Sequence, residues 1–171
     1  SILYIYCDGP KDNADNEQQI EKITDVRRVI RKQKWCKEVH IIESDKNKGL
    51  ANSIIGGVTD VINQYGKVIV LEDDLVTSPY FLKYMNEALN YYIDYPAVFS
   101  VSANRPPKSK MEIPGDYEYD VFASLRSYST GWATWSDRWE KVDWEMKRLD
   151  EFLKQPEQIK AINRAGDDMT K

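Results

Sequence analysis

In "KVIVLEDDLVTSP", Lys67 to Pro79, the acids Glu72, Asp73 and Asp74 follow directly on an apolar run. If the backbone stays extended, the period of two sends Glu72 and Asp74 to one side and Asp73 to the other. Two carboxylates about 4 Å apart repel by roughly 4 kcal/mol at an effective dielectric near 20, and a cation removes that cost. Carboxylate oxygens suit the hard ions Mg²⁺ and Mn²⁺, which prefer to share their ligands with substrate phosphates. The run therefore admits a metal-bound diphosphate. It equally admits a solvated turn whose acids cap the helix that follows.

Asp8 closes another apolar run in "YIYCDGP", where it could accept from a base or a ribose, or simply form an isolated turn. In "DKNKGLANS", Gly49 permits close backbone approach, Lys48 can meet a phosphate, and the next helix start offers free N–H groups. The same residues read as a left-handed turn before a helix. The chain lacks the patterns G-x-x-x-x-G-K-[ST] and G-x-G-x-x-G, and Gly56 falls inside a helical segment, so a P-loop NTPase or an NAD enzyme is disfavoured. "GWATW" beside "DRW" sets Trp132 and Trp135 next to a flexible Gly131, and flat indoles suit sugar faces. Against that, the i, i+4 spacing of Trp135 and Trp139 reads as a core-facing helix stripe. His40 reads as a packing residue, and Arg105, Lys108 and Lys110 as a solvated basic loop.

These residues need a scaffold. A length of 171 residues suits one domain, with 42% hydrophobic and 30% charged residues in the ordinary range. No apolar run reaches the roughly 18 residues that a membrane helix needs. A net charge of -4 argues against a sequence-independent nucleic-acid binder. Two cysteines, Cys7 and Cys36, make neither a disulfide framework nor a metal-ligand spacing, so a reducing, cytoplasmic setting is expected.

Strands are expected at Ile2 to Tyr6, Glu38 to Ser44, Lys67 to Leu71 and Ala97 to Ala103, and helices at Asn16 to Gln33, Leu50 to Tyr65 and Pro79 to Tyr92. Ser78 is the expected N-cap of the third helix, with Pro79 at its first position. The continuous apolar run "KVIVL" reads as a parallel strand covered on both faces. Alternating strands and helices imply an α/β fold with a three-layer, mainly parallel sheet, and ligands in such folds sit outside the carboxyl ends of the strands. After residue 103 come a long Pro-rich loop, a short strand at "VFASL", a glycine turn leading into a Trp-rich helix, and one or two short polar helices. The chain opens without Met and ends on "GDDMTK" with no cap, so a fragment truncated at both ends is expected.

Taken in order, "YIYCDGP", "NKGLANSIIGGV", "VIVLEDDLVTSPYFL" and "GWATWSDRW" resemble a bacterial nucleotide-sugar glycosyltransferase of the GT-A fold. The "EDD" segment is similar also to that of the N-acetylglucosaminyltransferases of the N-glycan pathway. The resemblance covers roughly residues 1 to 145. It implies a single catalytic domain over 1–171, with a nucleotide-binding part at 1–103 and a donor and acceptor part at 104–171. The family's first strand would be missing, and the fragment's own activity is open.

Residue by residue, the resemblance implies that Asp8 with Gly9 contacts the nucleotide and that Asn47, Lys48 and Gly49 border it. "EDD" stands for the DxD motif, with Asp74 holding Mn²⁺ or Mg²⁺ and Glu72 and Asp73 reaching ribose, donor sugar or metal-bound water. Gly131 and Trp132 line the donor-sugar and acceptor side, and Asp167 or Asp168 in "GDDM" supplies the catalytic base. The implied reaction moves a sugar from a nucleoside diphosphate donor to a glycan or lipid-linked glycan acceptor, as in cell-surface polysaccharide synthesis, in the cytoplasm or at the inner face of the membrane. Rival readings of the same acids are a metal-dependent nucleotidyltransferase or phosphohydrolase, or a non-catalytic sugar-binding module.

Overall fold

The computed structural model describes residues 1–12, 16–105, 111–166 and 169. The chain divides into two compact units, Ser1–Tyr65 and Gly66–Lys171.

The first unit runs β1 (Ile2–Cys7), α1 (Asn16–Ile30), β2 (Glu38–Glu43) and α2 (Leu50–Tyr65). β1 and β2 pair in parallel, from Ile2 opposite Glu38 to Cys7 opposite Glu43. A parallel pair requires a crossover, and α1 supplies it. Arg27 and Arg31 tie α1 to the end of β2: Arg27 donates to the Ser44 carbonyl at 2.7 Å, and both guanidinium groups approach Glu43. α1 stops three residues short of Gln33, where the Trp35 indole N–H takes the Ile30 carbonyl at 2.9 Å. α2 carries Gly57 against the Tyr6 ring of β1; a Cβ there would meet that ring at 3.1 Å.

The second unit runs β3 (Lys67–Val70), α3 (Phe81–Tyr91), β4 (Val101–Ser102), β5 (Trp132–Trp135), α4 (Ser136–Trp139), α5 (Leu149–Leu153) and α6 (Pro156–Ile162). Its sheet has the order β3-β5-β4, and β5 runs antiparallel to both neighbours. Among the described residues the strands thus make a parallel pair and an antiparallel triplet, and a three-layer parallel sheet is not shown. The continuous apolar run of β3 reports cover on both faces; it carries no information about the direction of the hydrogen-bonded neighbour. The expected division after residue 103 falls between β4 and β5, which are hydrogen-bonded partners.

Four elements differ from expectation. "WATW" is a strand where a helix was expected, because Trp and Thr fit a pleated surface and alternate sides remain buried on both faces of a central strand. β4 shrinks to two paired residues, and "VFASL" contains no strand. α3 begins at Phe81: Ser78 and Pro79 instead build a turn ahead of it, with the Ser78 carbonyl accepting from Phe81 N at 3.1 Å and its hydroxyl from Tyr80 N at 3.3 Å.

The core sits between α3 and this sheet. Phe81, Met85, Ala88 and Leu89 recur at helical spacing and pack on Ala133 and Trp135 of β5 and Val101 of β4. The Trp135 indole N–H donates to the Leu89 carbonyl at 3.1 Å, which satisfies its polar atom inside the core. At the C-terminal end of α3, Arg138 is 3% exposed. Its guanidinium donates to the Tyr92 and Ile93 carbonyls and to Asp137, and lies 4.5 Å from the Trp135 ring centre. No helix among the described residues is long and apolar enough to cross a membrane.

Candidate functional site

In the first unit the structure gathers Asp8, Gly9, Asn47, Lys48 and Gly49. Asp8 directly follows β1, and its carboxylate accepts the backbone N–H of Gly9 at 3.0 Å, of Lys48 at 2.9 Å and of Gly49 at 3.2 Å. Burial pushes this carboxyl up, but the bonds from Lys48, Gly9, Ser53 and Gly49 outweigh it and leave the group below its ordinary value. Asn47 closes the turn from the other side, donating from its amide to the Gly9 carbonyl at 3.1 Å and accepting from Gly49 N at 3.1 Å. Gly9 is buried, and a Cβ there would lie 2.6 Å from Lys46 N, so the turn leaves no room for a side chain. Gly49 has φ +75°, the left-handed region in which glycine is favoured, and its carbonyl accepts the first bond of α2 from Ser53 N at 3.0 Å. The segment is a left-handed turn before a helix, with the Asp8 carboxylate fixed at that helix's positive end by the Lys48 and Gly49 N–H groups.

The second unit gathers the acids and the glycine-tryptophan segment. Glu72, Asp73 and Asp74 leave β3 in a turn that Leu75 N closes weakly on the Glu72 carbonyl at 3.4 Å. Glu72 is half-buried, and Asp73 and Asp74 are exposed. None of the three caps α3, whose start has no side-chain cap. Among the described residues none forms an ion pair. β5 lies alongside, with Trp132 opposite Val70, two residues before Glu72. Gly131, φ +64°, is wedged where a Cβ would meet the Phe81 ring at 3.2 Å and Leu71 at 3.7 Å. Trp132 is half-buried, and its register places it on the sheet face opposite the one α3 covers.

No protein family, curated protein or solved structure matches the chain.

Among the described residues no three His, Cys, Asp or Glu side chains converge as a closed metal cage requires. A divalent ion shared with a diphosphate needs less, one or two carboxylates with water and phosphate oxygens completing its shell. Asp73 and Asp74, exposed and without an ion-pair partner among the described residues, fit that smaller demand.

Other candidates sort differently. Trp135, 2% exposed, is a core residue and offers no sugar platform; Trp139 is buried too, but on α4, so the two do not share a helix stripe. His40 stacks on Tyr4 at 4.6 Å with Nε2 2.7 Å from Glu38, on a side chain that stays 43% exposed where a packing residue was expected. Asp167, Asp168, Lys108 and Lys110 lie outside the described residues. Sequence reasoning missed the buried Arg138 and the contact of Trp144 with Trp139; an arginine between two tryptophans was the available signal for the first.

Proposed function

We propose that the protein is a metal-dependent glycosyltransferase that moves a sugar from a nucleoside diphosphate donor to an acceptor hydroxyl with inversion. The observation that carries this reading is the pairing of β3 with β5. It sets Gly131 and Trp132 beside the strand end that releases Glu72, Asp73 and Asp74 into an exposed turn.

In this reading Asp74 holds Mn²⁺ or Mg²⁺, and Glu72 and Asp73 receive ribose or donor-sugar hydroxyls. The ion, when bound, supplies the positive charge that stabilises the departing diphosphate. In the first unit Asp8 fixes the Asn47–Gly49 turn. Trp132 offers an apolar face to the donor sugar. The acceptor hydroxyl attacks the anomeric carbon, the bond to the diphosphate oxygen breaks, and the hydroxyl proton passes to a carboxylate, assigned to Asp167 or Asp168. The acceptor is a glycan or lipid-linked glycan, and the setting is the cytoplasm or the inner face of the membrane.

The test is a donor screen with Mn²⁺, scoring release of nucleoside diphosphate. Binding of the donor is expected to need the metal and to be lost in Asp74→Ala. Equal, metal-independent binding by both proteins would remove the metal role. Release of a sugar phosphate in place of nucleoside diphosphate would mark a phosphohydrolase instead.

A further inference from the structure

Three indoles form a continuous ladder in the second unit. Trp132 stacks on Trp139 with ring centres 5.8 Å apart, and Trp139 meets Trp144 at 4.4 Å. The ladder begins opposite Val70, beside the strand end that carries the acids, and passes through a buried rung, Trp139 at 5% exposure. It ends at Trp144, which is 43% exposed.

An indole at the surface is ordinary when it is mobile; this one is held. Its inner side rests on a buried ring, and the chain around it is a run of turns, with Met146 N on the Asp143 carbonyl at 3.1 Å and Leu149 N on the Met146 carbonyl at 3.0 Å. Met146 has φ +50°, the one non-glycine residue in the left-handed region among the described residues. That conformation costs about 1–2 kcal/mol, and such strain recurs at ligand clamps. Asp143, the residue preceding Trp144 in the chain, is half-buried, and among the described residues its side chain forms no ion pair. An exposed apolar plane held from behind matches the C–H face of a pyranose ring, whose rim hydroxyls are donors that a neighbouring carboxylate accepts.

We propose that Trp144 is the platform on which a pyranose ring of the acceptor stacks, with Asp143 accepting from its hydroxyls. This rests on the transferase reading, which makes the occupant a sugar; the ladder supplies the position, leading away from the donor side at Trp132.

Saturation-transfer NMR on the whole protein, with methyl glycosides of glucose, galactose, mannose and N-acetylglucosamine as probes, tests it without turnover. At least one glycoside is expected to receive saturation on the C–H protons of a single ring face. The signal should fall roughly tenfold in Trp144→Ala and persist in Trp144→Phe. Trp144→Leu keeps an apolar contact for Trp139 but lacks a ring, and should also lose the signal if Trp144→Ala does not fold. No binding by any probe, or equal binding by the folded Trp144→Leu protein, overturns the proposal. Nucleoside diphosphate release measured on the same proteins separates the two readings. Release with glycoside binding that ignores Trp144 removes the platform alone, whereas Trp144-dependent glycoside binding with no Mn²⁺-dependent donor binding removes the transferase and leaves the platform standing.

Discussion

Asp8 is held below the ordinary carboxylate range although burial pulls it upward, because Lys48, Gly9, Ser53 and Gly49 all donate to its charged form. A carboxyl depressed on folding contributes stability that is fully present above its unfolded value and is lost as pH falls through the folded one. Asp8→Asn keeps the shape but removes the charge from the start of α2. We expect a loss of about 1 kcal/mol at pH 7, the size of a helix cap, and a shallower acid limb. Urea unfolding at pH 7 and at pH 3 reads both; if the variant and the parent lose stability in parallel between those values, Asp8 is not the group responsible. At this scale the sequence showed the residue and both of its readings. It could not show that "DG" and "NKG", 40 positions apart, are hydrogen-bonded to one another.

β5 is the element on which the candidate site depends. Its central place between β3 and β4 requires Gly131 to enter the sheet at φ +64° with the Phe81 ring against it. Gly131→Ala meets both obstacles and is expected to cost roughly 2–3 kcal/mol, one part for the left-handed backbone and one for overpacking. A thermal melt checks the loss, and an unchanged midpoint would show that Phe81 and the turn relax freely. The helices α1 and α2 and the strands β1 to β3 were legible because each carries its own periodicity, and α2 agrees at both ends. "WATW" was not, because four residues hold too little pattern to separate a strand from a helix, and the next tryptophan falls at the helical spacing. Its partner strands, 62 and 30 residues upstream by the pairs Val70 with Trp132 and Ser102 with Trp132, decide the matter.

Over the whole chain, burial is uneven. The cluster of Phe81, Met85, Ala88, Leu89, Val101, Ala133 and Trp135 belongs to the second unit, while α1 in the first leaves Ile20, Val26 and Val29 about half exposed. Amide exchange should therefore be slowest in α3 and β5 and fastest in α1, since local opening follows local burial. Mass-spectrometric exchange on the intact protein reads this order directly; α1 protected as long as α3 would show that its exposed apolar side is covered in solution. Composition and periodicity determined that this is a mixed α/β chain, that α1, α2 and β1 to β3 are regular, and where carboxylates follow a strand. They do so because strand and helix periods and turn chemistry are local properties of the chain. Strand direction, the central position of β5, the internal use of the Asp8 carboxylate and the indole ladder were decided by tertiary structure alone. Each depends on residues tens of positions apart sharing hydrogen bonds or ring faces, and no local pattern encodes which distant partner will be met.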